Sequence, residues 1–249
     1  MIAPSREERS HDRRRQDRRC RNPLYPVPGD VGHLSQGFGQ QNYLFHREAY
    51  ATLRQLLQNQ RAGFTFLDVA CGDASFSAAA LAGLPIDRYI GIDLSQTALD
   101  EAAANIAGLS CAAELRRGDF VEWLRACEEP VDVAWIGLSL HHLPFDRKLE
   151  VMRQLRRLAG LSGTLLIYEN TCRMGESRAG WMKRWGRQRK VFSALNSLEW
   201  LLLTTHVNSM DHPETASSWR KLGHLAGFRE VREHYRCPSN LFRLFSFKA

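Results

Sequence analysis

The sequence has 249 residues, 44% of them hydrophobic and 10% aromatic, so it can bury a sizeable core and is not a globally disordered chain. Its formal net charge is +7. Residues 1–21 contain eight arginines against four acidic residues, or +4, which leaves +3 for the other 228 residues. The basic character therefore belongs partly to an N-terminal arm and gives little support for a nucleic-acid-binding face elsewhere.

Six cysteines are spread along the chain without a C-x-x-C pair. This spacing argues against a cysteine-based zinc site and favours reduced thiols over a disulfide framework. The N-terminal residues are charged and lack the apolar stretch of a secretory signal peptide, and no run of about 18 apolar residues predicts a membrane span. We therefore expect a cytoplasmic protein without a membrane partner.

Two segments precede the predicted core. Residues 1–30 are rich in arginine and then in proline, which favours neither helix nor strand, so we expect a flexible tail. Within residues 31–62, Tyr50, Leu53 and Leu57 recur at helical spacing. This segment is predicted to form helices ahead of the core that fold over a bound ligand as a lid.

Short apolar strands alternate with helices in the middle of the chain. Predicted strands cover 64–70, 88–93, 115–119, 131–138 and 163–169, and predicted helices cover 76–84, 95–107, 120–127 and 147–158. Ser95 is placed to cap the second of these helices, and Gly160 to end the last one. Apolar strands that alternate with helices indicate a parallel sheet covered on both faces.

The pattern changes after residue 170. Residues 171–210 contain three tryptophans among many basic residues, which predicts a helical insertion after strand five. Residues 211–226 are predicted as a helix with Pro213 in its first turn, followed by strands at 229–235 and 241–247. Residues 31–249 are therefore predicted to form a single α/β domain. Its sheet is Rossmann-like, seven-stranded and mostly parallel, with helices on both faces and a C-terminal antiparallel hairpin.

Small and acidic residues follow the first three predicted strands. The turn Asp68-x-Ala70-x-Gly72-x-Ala74 lets a ligand approach the backbone at the start of the next helix. Asp93 ends strand two, where a carboxylate accepts both hydroxyls of a ribose, and Asp119-Phe120 ends strand three, where an acid and an amide suit an adenine ring. All of these residues fall at the carboxyl edge of the sheet, where open α/β folds bind ligands.

Residues 64–170 resemble the class I S-adenosylmethionine-dependent methyltransferases, of the small-molecule type. The resemblance rests on the first motif in residues 67–74, on Gly91-Ile92-Asp93-Leu94-Ser95, on Arg117-Gly118-Asp119-Phe120, on the fourth motif in residues 136–143 and on the fifth strand in residues 163–170. It implies an enzyme that binds S-adenosylmethionine and releases S-adenosylhomocysteine. The implied cofactor contacts are Asp68, Ala70, Cys71, Gly72, Ala74, Asp93, Leu94, Asp119, Phe120 and Leu138.

The first motif departs from the commonest family pattern at two positions. Ala70 and Ala74 stand where that pattern has glycine, and we expect narrower clearance for the cofactor but no loss of binding. A hydride-transferring Rossmann enzyme fits less well, because its three turn glycines would correspond here to Ala70, Gly72 and Ser75.

Two adjacent histidines mark the predicted acceptor side. His141 and His142 follow the fourth strand, next to where the resemblance places the reactive methyl group. A histidine there can take a proton from a hydroxyl or amine near neutral pH, so His142, with His141, is the predicted base; a purely structural role stays open. The sequence contains no cluster of carboxylates that would predict a metal-dependent catechol site, so no metal is expected.

The flanking segments are predicted to enclose a small-molecule acceptor. The expected acceptor contacts are Tyr43, Arg47, Glu169, Asn170 and Arg173, with Trp181, Trp185, His206 and Asp211 as further wall residues. The Asn/Asp-Pro-Pro-aromatic motif of enzymes that methylate base amines is absent after strand four, and so is the Pro-Cys of enzymes that attack a pyrimidine covalently.

Three functions follow from these patterns. The first is transfer of a methyl group to an oxygen or nitrogen of a small molecule. The second, suggested by the basic arm and the basic insertion, is an RNA or protein methyltransferase, so a nucleic-acid partner stays open but is not favoured. The third is a non-catalytic S-adenosylmethionine-binding protein. The oligomeric state does not follow from the sequence.

Overall fold

The computed structural model describes residues 41–249, of which residues 42–249 form one compact unit. The predicted tail at residues 1–30 and the first ten residues of the predicted lid segment lie outside the described residues. Among the residues described, no helix combines the length with the apolar character that a bilayer span requires.

A central sheet contains seven long strands in the order β3-β2-β1-β4-β5-β8-β7. The strands are β1 (Phe64–Val69), β2 (Ile86–Asp93), β3 (Ala112–Arg117), β4 (Val133–Gly137), β5 (Thr164–Cys172), β7 (Glu230–Arg236) and β8 (Phe242–Lys248), with a short β6 (Glu214–Thr215) beside β5. Strands β1 to β5 pair in parallel, and β8 runs antiparallel to both β5 and β7. This arrangement confirms the predicted sheet and its C-terminal antiparallel hairpin.

Eight helices accompany the sheet in residues 41–249. They are α1 (His46–Leu57), α2 (Ser75–Leu81), α3 (Gln96–Ile106), α4 (Phe120–Ala126), α5 (Phe145–Ala159), α6 (Arg178–Gly186), α7 (Ser197–Met210) and α8 (Ala216–Leu225), together with 3-10 turns at Leu140–His142 and Arg187–Lys190. The chain moves outward from β1 to β3 and then back to β4 and on to β5. Right-handed crossovers therefore place α2 and α3 on one face of the sheet and α5 on the other.

Local sequence explains most helix ends. The Ser95 side chain accepts a hydrogen bond from the amide of Ala98 at 3.2 Å, so the predicted cap of α3 is confirmed. Gly160 ends α5 with a positive φ of 59°, a conformation that costs glycine little. The strands of the core are apolar on both faces. In β1, for example, the side chains of Phe66, Leu67 and Val69 are fully buried, and the polar residue among them is Asp68.

The segment after β5 differs from the prediction in one respect. The predicted helix at 211–226 is wrong at its start, since Glu214 and Thr215 instead form β6, which pairs in parallel with Thr171 and Cys172 at the end of β5. Helix α8 begins only at Ala216, where the Thr215 hydroxyl caps it. Pairing with a distant strand satisfies the backbone of 214–215 before the helix starts, and sequence periodicity carries no signal of that.

The end of β5 also runs further than residues 163–169, to Cys172. The helices that follow are fastened to it by two buried side chains. The Trp181 indole donates to the carbonyl of Thr171 at 3.1 Å, and the Arg184 guanidinium donates to the same carbonyl and to the Glu176 carboxylate. These contacts place the segment that carries Asp211 next to the carboxyl end of the sheet.

Candidate functional site

The turn after β1 has an unusual backbone. Ala70, Gly72 and Ala74 all have positive φ, at 56°, 55° and 53°. The Gly72 amide donates to Oδ2 of Asp93 at 2.9 Å, and Oδ1 of the same carboxylate accepts from the Ser95 amide at 2.9 Å. The carboxylate of Asp93 thus connects the turn after β1 to the start of α3, at the edge where a nucleoside was expected.

The predicted adenine-side residues lie beside it. The Gly118 amide donates to the carbonyl of Asp93 at 3.0 Å, which joins the ends of β2 and β3. Asp119 lies two residues beyond β3 and caps α4, since its Oδ1 accepts from the Val121 amide at 2.8 Å. Phe120 is buried and Leu94 is partly exposed. The fold therefore brings Asp93, Leu94, Asp119 and Phe120 to one edge.

Asp68 occupies a different position from the other two acids. It is 2% exposed, and its Oδ2 accepts a hydrogen bond from the Tyr89 hydroxyl at 2.8 Å inside the sheet. Burial raises the pKa of this carboxyl to about 6, against the opposing effect of hydrogen bonds from Ser77 and Tyr89. Its carboxylate is therefore engaged by the side chains of Ser77 and Tyr89.

The turn after β4 is organised by Glu169 of β5. Oε1 of Glu169 accepts from the amides of Ser139 and Leu140 at 2.9 and 2.7 Å, and Oε2 accepts from the amide of His141 at 3.2 Å. Leu138, at the start of this turn, has a positive φ of 52°. Burial raises the pKa of Glu169 to about 7, and the hydrogen bonds from the two amides oppose that shift.

Glu169 also fixes one of the two histidines. Nδ1 of His141 lies 2.7 Å from Oε2 of Glu169, which is hydrogen-bond distance. Burial lowers the pKa of His141 to about 3 and that of His142 to about 2, so both rings are neutral at physiological pH. The rings lie against each other with centroids 4.1 Å apart.

Asp211 faces both histidines from the segment after α7. Its Oδ1 lies 3.8 Å from Nε2 of His141 and 3.5 Å from Nδ1 of His142. Its Oδ2 accepts from the side-chain amide of Asn170 at 2.6 Å. Among the described residues, Oδ1 of Asp211, Nδ1 of His142 and Oδ1 of Asn170 are buried without a hydrogen-bond partner. Burial holds the pKa of Asp211 well above its usual range.

The position of Asp211 is fixed by its neighbours as well as by its own side chain. The next amide, of His212, donates to the carbonyl of His141 at 2.6 Å. Lys148 of α5, which is fully buried, donates to the carbonyl of His212 and to Oε1 of Glu214 at 2.9 Å. Arg178 of α6 donates to the carbonyl of Asp211. Burial lowers the pKa of Lys148.

The residues predicted to contact the methyl acceptor lie in different places. Glu169 contacts His141, and Asn170 contacts Asp211 beside the histidine pair. Tyr43 is 4% exposed, stacks on Phe192 with ring centroids 4.6 Å apart and accepts a hydrogen bond from the amide of Ala194. Arg47 and Arg173 lie on the surface.

Sequence reasoning named Asp211 only as a wall residue. Its contact with the histidines, and the buried Lys148 that supports it, have no local sequence signal, because the histidines and Asp211 are about 70 positions apart. The atoms that could hold a metal ion in residues 41–249 belong to His141, His142 and Asp211, whose ligand atoms lie within 4.8 Å of one another.

The chain matches known methyltransferases. A family model described as "Methyltransferase domain" matches residues 66–163. Ribosomal RNA large subunit methyltransferase K/L of Pseudomonas fluorescens is 34% identical over 96 residues, which are 38% of this chain. The match covers 12% of that relative, so this chain corresponds to a small part of its length.

Solved structures share the fold over most of this chain. The plantazolicin methyltransferase BpumL, in complex with SAH, has a TM-score of 0.63 at 14% identity over 90% of this chain and 92% of that one. A possible exported protein of Bordetella parapertussis has 0.61 at 22%, over 82% and 68%. The mitomycin 7-O-methyltransferase MmcR has 0.55 at 19%, over 87% and 59%. At these identities the likeness shows a common fold.

The alanines at positive φ generate a prediction. We expect Ala74→Gly to raise the free energy of unfolding by about 0.5–1 kcal/mol, because the left-handed conformation costs a residue with a Cβ about 1–2 kcal/mol while the flexibility of glycine offsets part of that gain. Urea denaturation measures the change. The matched control is Ala79→Gly, at an exposed position inside α2, which should lose about 1 kcal/mol. Equal losses in both variants would contradict the assignment of strain to the turn.

The buried Asp68 carboxyl leads to a second prediction, which concerns how the stability of the fold depends on pH. Since its pKa rises from an ordinary 3.8 to about 6, the folded protein binds more protons than the unfolded chain between these values, and the contribution of Asp68 to stability falls as the pH rises through them. Asp68→Asn keeps an acceptor for Tyr89 without the charge. We expect the variant to be more stable than the parent above pH 6, by up to about 3 kcal/mol, and the gain to vanish near pH 4.

Urea denaturation from pH 4 to pH 8 tests this expectation. The control is Asp87→Asn, at an exposed position on β2, whose effect should stay the same across the series. A difference between Asp68→Asn and the parent that does not change with pH would show that burial of the charge is not what the substitution relieves.

Proposed function

We propose that this chain, which belongs to the class I S-adenosylmethionine-dependent methyltransferases, transfers a methyl group from S-adenosylmethionine to an oxygen or nitrogen of a small molecule. The observation that carries the proposal is the joint position of two groups at the carboxyl edge of one sheet. One group consists of the acidic residues at the carboxyl ends of β1, β2 and β3. The other is the neutral histidine pair after β4.

The cofactor is proposed to bind along the ends of β1, β2 and β3. Asp93 would accept the ribose hydroxyls, while Asp119 and Phe120 would face the adenine. The turn at residues 70–74 would place backbone amides near the cofactor, with Cys71, Gly72 and Leu138 beside its methionine part. Asp68 would support the turn and not contact the cofactor directly, because its carboxylate accepts a hydrogen bond from Tyr89.

The acceptor is proposed to lie against the histidine pair. Methyl transfer is an in-line displacement at the sulfonium carbon, so the protein mainly aligns the acceptor and excludes water. His142 is the more exposed of the two rings, at 22% of its side chain against 8% for His141. It is proposed as the base that takes the proton of a hydroxyl or amine, a role that opposes the effect of burial, which lowers its pKa. His141 is held by Glu169 and positions its neighbour. Asn170 and Arg173 are proposed to complete the pocket.

Two relatives support a small acceptor by their names, since one methylates plantazolicin and the other is a mitomycin 7-O-methyltransferase. A second candidate is an RNA methyltransferase. It is favoured by the 34% identity to the ribosomal RNA enzyme and by the arginines of residues 1–21, which would suit a phosphate backbone.

The described cysteines are free thiols, which suits the proposed location in the reducing cytoplasm.

The cofactor site is tested with S-adenosylhomocysteine by titration calorimetry. We expect Asp93→Ala to weaken binding about 10- to 100-fold, because it removes charge-assisted hydrogen bonds worth about 1.5–3 kcal/mol. Asp100→Ala, at an exposed position on α3, is the matched control and should bind as the parent does. Circular dichroism checks that Asp93→Ala still folds, since Asp93 also holds the amides of Gly72 and Ser95. Unaltered affinity in a folded Asp93→Ala would place the cofactor elsewhere.

The acceptor class is tested with methyl-labelled S-adenosylmethionine and a size-fractionated cell extract. We expect the label in the low-molecular-weight fraction. Label found only in RNA, with RNA binding that is salt-sensitive and lost on deletion of residues 1–21, would instead establish the second candidate. Label found only in protein would show a protein acceptor and would also contradict the small-molecule proposal.

A further inference from the structure

We propose that His141, His142 and Asp211 bind a divalent transition-metal ion, of which Zn²⁺ fits best, at the carboxyl end of β4. The ligand atoms would be Nε2 of His141, Nδ1 of His142 and Oδ1 of Asp211. The metal site itself does not depend on the proposed function, but its use by the enzyme does. It departs from the expectation of no metal, which rested on the absence of a carboxylate cluster from the sequence.

Two of the three distances between the ligand atoms are close to those of a metal site. With bonds of about 2.0–2.2 Å, tetrahedral Zn²⁺ holds its ligand atoms about 3.4 Å apart. Oδ1 of Asp211 lies 3.5 Å from Nδ1 of His142 and 3.8 Å from Nε2 of His141, and the three ligand atoms all lie within 4.8 Å of one another. Shifts of a few tenths of an ångström would bring the two measured pairs to that spacing.

The orientation of the His141 ring points in the same direction. Its Nδ1 lies 2.7 Å from Oε2 of Glu169, and Nε2 on the other side of the ring lies 3.8 Å from Oδ1 of Asp211. The nitrogen near Asp211 is therefore the one that Glu169 does not engage. A carboxylate, a histidine and a metal in series is the usual arrangement around a bound Zn²⁺, because the carboxylate fixes the tautomer and orientation of the ring.

The site also contains buried atoms that lack partners. Nδ1 of His142 and Oδ1 of Asp211 have no hydrogen-bond partner among the described residues, and Asp211 is 2% exposed. A buried polar atom without a partner costs about 1–3 kcal/mol, and these two lie 3.5 Å from each other. A metal ion bound by both atoms would satisfy them and Nε2 of His141 together.

Asp211 is held in this position from several elements. Asn170 of β5 donates to Oδ2, which leaves Oδ1 directed at the histidines, and Arg178 of α6 donates to the carbonyl of Asp211. The amide of His212 donates to the carbonyl of His141, so the two segments that carry the ligands are joined directly. Preorganised ligands of this kind lower the cost of assembling a metal site.

The ligand set indicates the metal and its use. Two neutral imidazoles and one carboxylate suit Zn²⁺ and other divalent transition metals, whereas Mg²⁺ and Ca²⁺ prefer oxygen. Three protein ligands leave a fourth position for water or an acceptor hydroxyl, and the partly exposed His142 is the side on which the cluster can be reached. In the proposed reaction a metal held there would lower the pKa of the bound hydroxyl, and its proton would pass to solvent on the exposed side of His142, since His142 would then be a ligand and not the base.

The test is metal retention by the full chain, measured without cofactor or acceptor. The protein is loaded with Zn²⁺, desalted and assayed by plasma mass spectrometry, and its affinity is determined by competition with a chromophoric chelator. We expect one Zn²⁺ per chain, with the affinity lowered about 100-fold or more in His142→Ala and in Asp211→Asn. Glu169→Gln should lower it about 10- to 100-fold, because Glu169 orients His141.

His234→Ala is the matched control, because His234 pairs with Ser246 in the β7–β8 hairpin away from the cluster, and it should retain the metal. Co²⁺ in place of Zn²⁺ should give the visible absorption of a tetrahedral site in the parent and not in Asp211→Asn, while circular dichroism checks that the variants fold. Zn²⁺ well below one per chain in the parent, or equal retention by the parent and the ligand variants, would overturn the site. Binding of S-adenosylhomocysteine by the metal-free protein tests the proposed function separately.

Discussion

The carboxylate of Glu169 accepts hydrogen bonds from three successive amides, at residues 139–141, and binds the ring of His141. This carboxylate is fully buried, so without these partners it would be very costly to place there, and without it the three amides would lack acceptors in the interior. The turn after β4 and the orientation of the histidine pair therefore depend on one side chain of the neighbouring strand. The parallel register of β4 with β5 puts Glu169 in reach of that turn.

The second wall of the site is supplied by the chain after β5. That segment leaves the sheet, forms α6 and α7 and returns at β6, where it pairs with the end of β5. Lys148 of α5 donates hydrogen bonds to His212 and Glu214 in this returning segment. Its Nζ lies 5.5 Å from the centre of the Trp219 ring. A fully buried lysine is tolerated here because a carboxylate and a carbonyl both accept from it. Side-chain hydrogen bonds from α5 and pairing with β5 thus hold the segment that carries Asp211.

Most of the fold was predictable because its signals are local. The apolar strands, the serine cap of α3 and the small residues of the first turn lie within a few positions of one another, and the parallel sheet follows from their alternation. Asp93 and Asp119 were placed correctly at the carboxyl edge for the same reason. The strand β6 was missed, because a two-residue strand forms only when the end of β5 is there to pair with it.

The sequence by itself determined the α/β fold, the resemblance to the class I methyltransferases and the edge of the sheet at which the acids and the histidine pair lie. The tertiary structure alone decided which of these groups meet. It placed the carboxylate of Asp68 against the Tyr89 hydroxyl, buried Tyr43 against Phe192, and brought Asp211 to the histidines across about 70 residues of chain. The physical reason is that motifs follow from local backbone preferences, whereas contacts between distant side chains depend on burial and hydrogen bonding in the assembled fold.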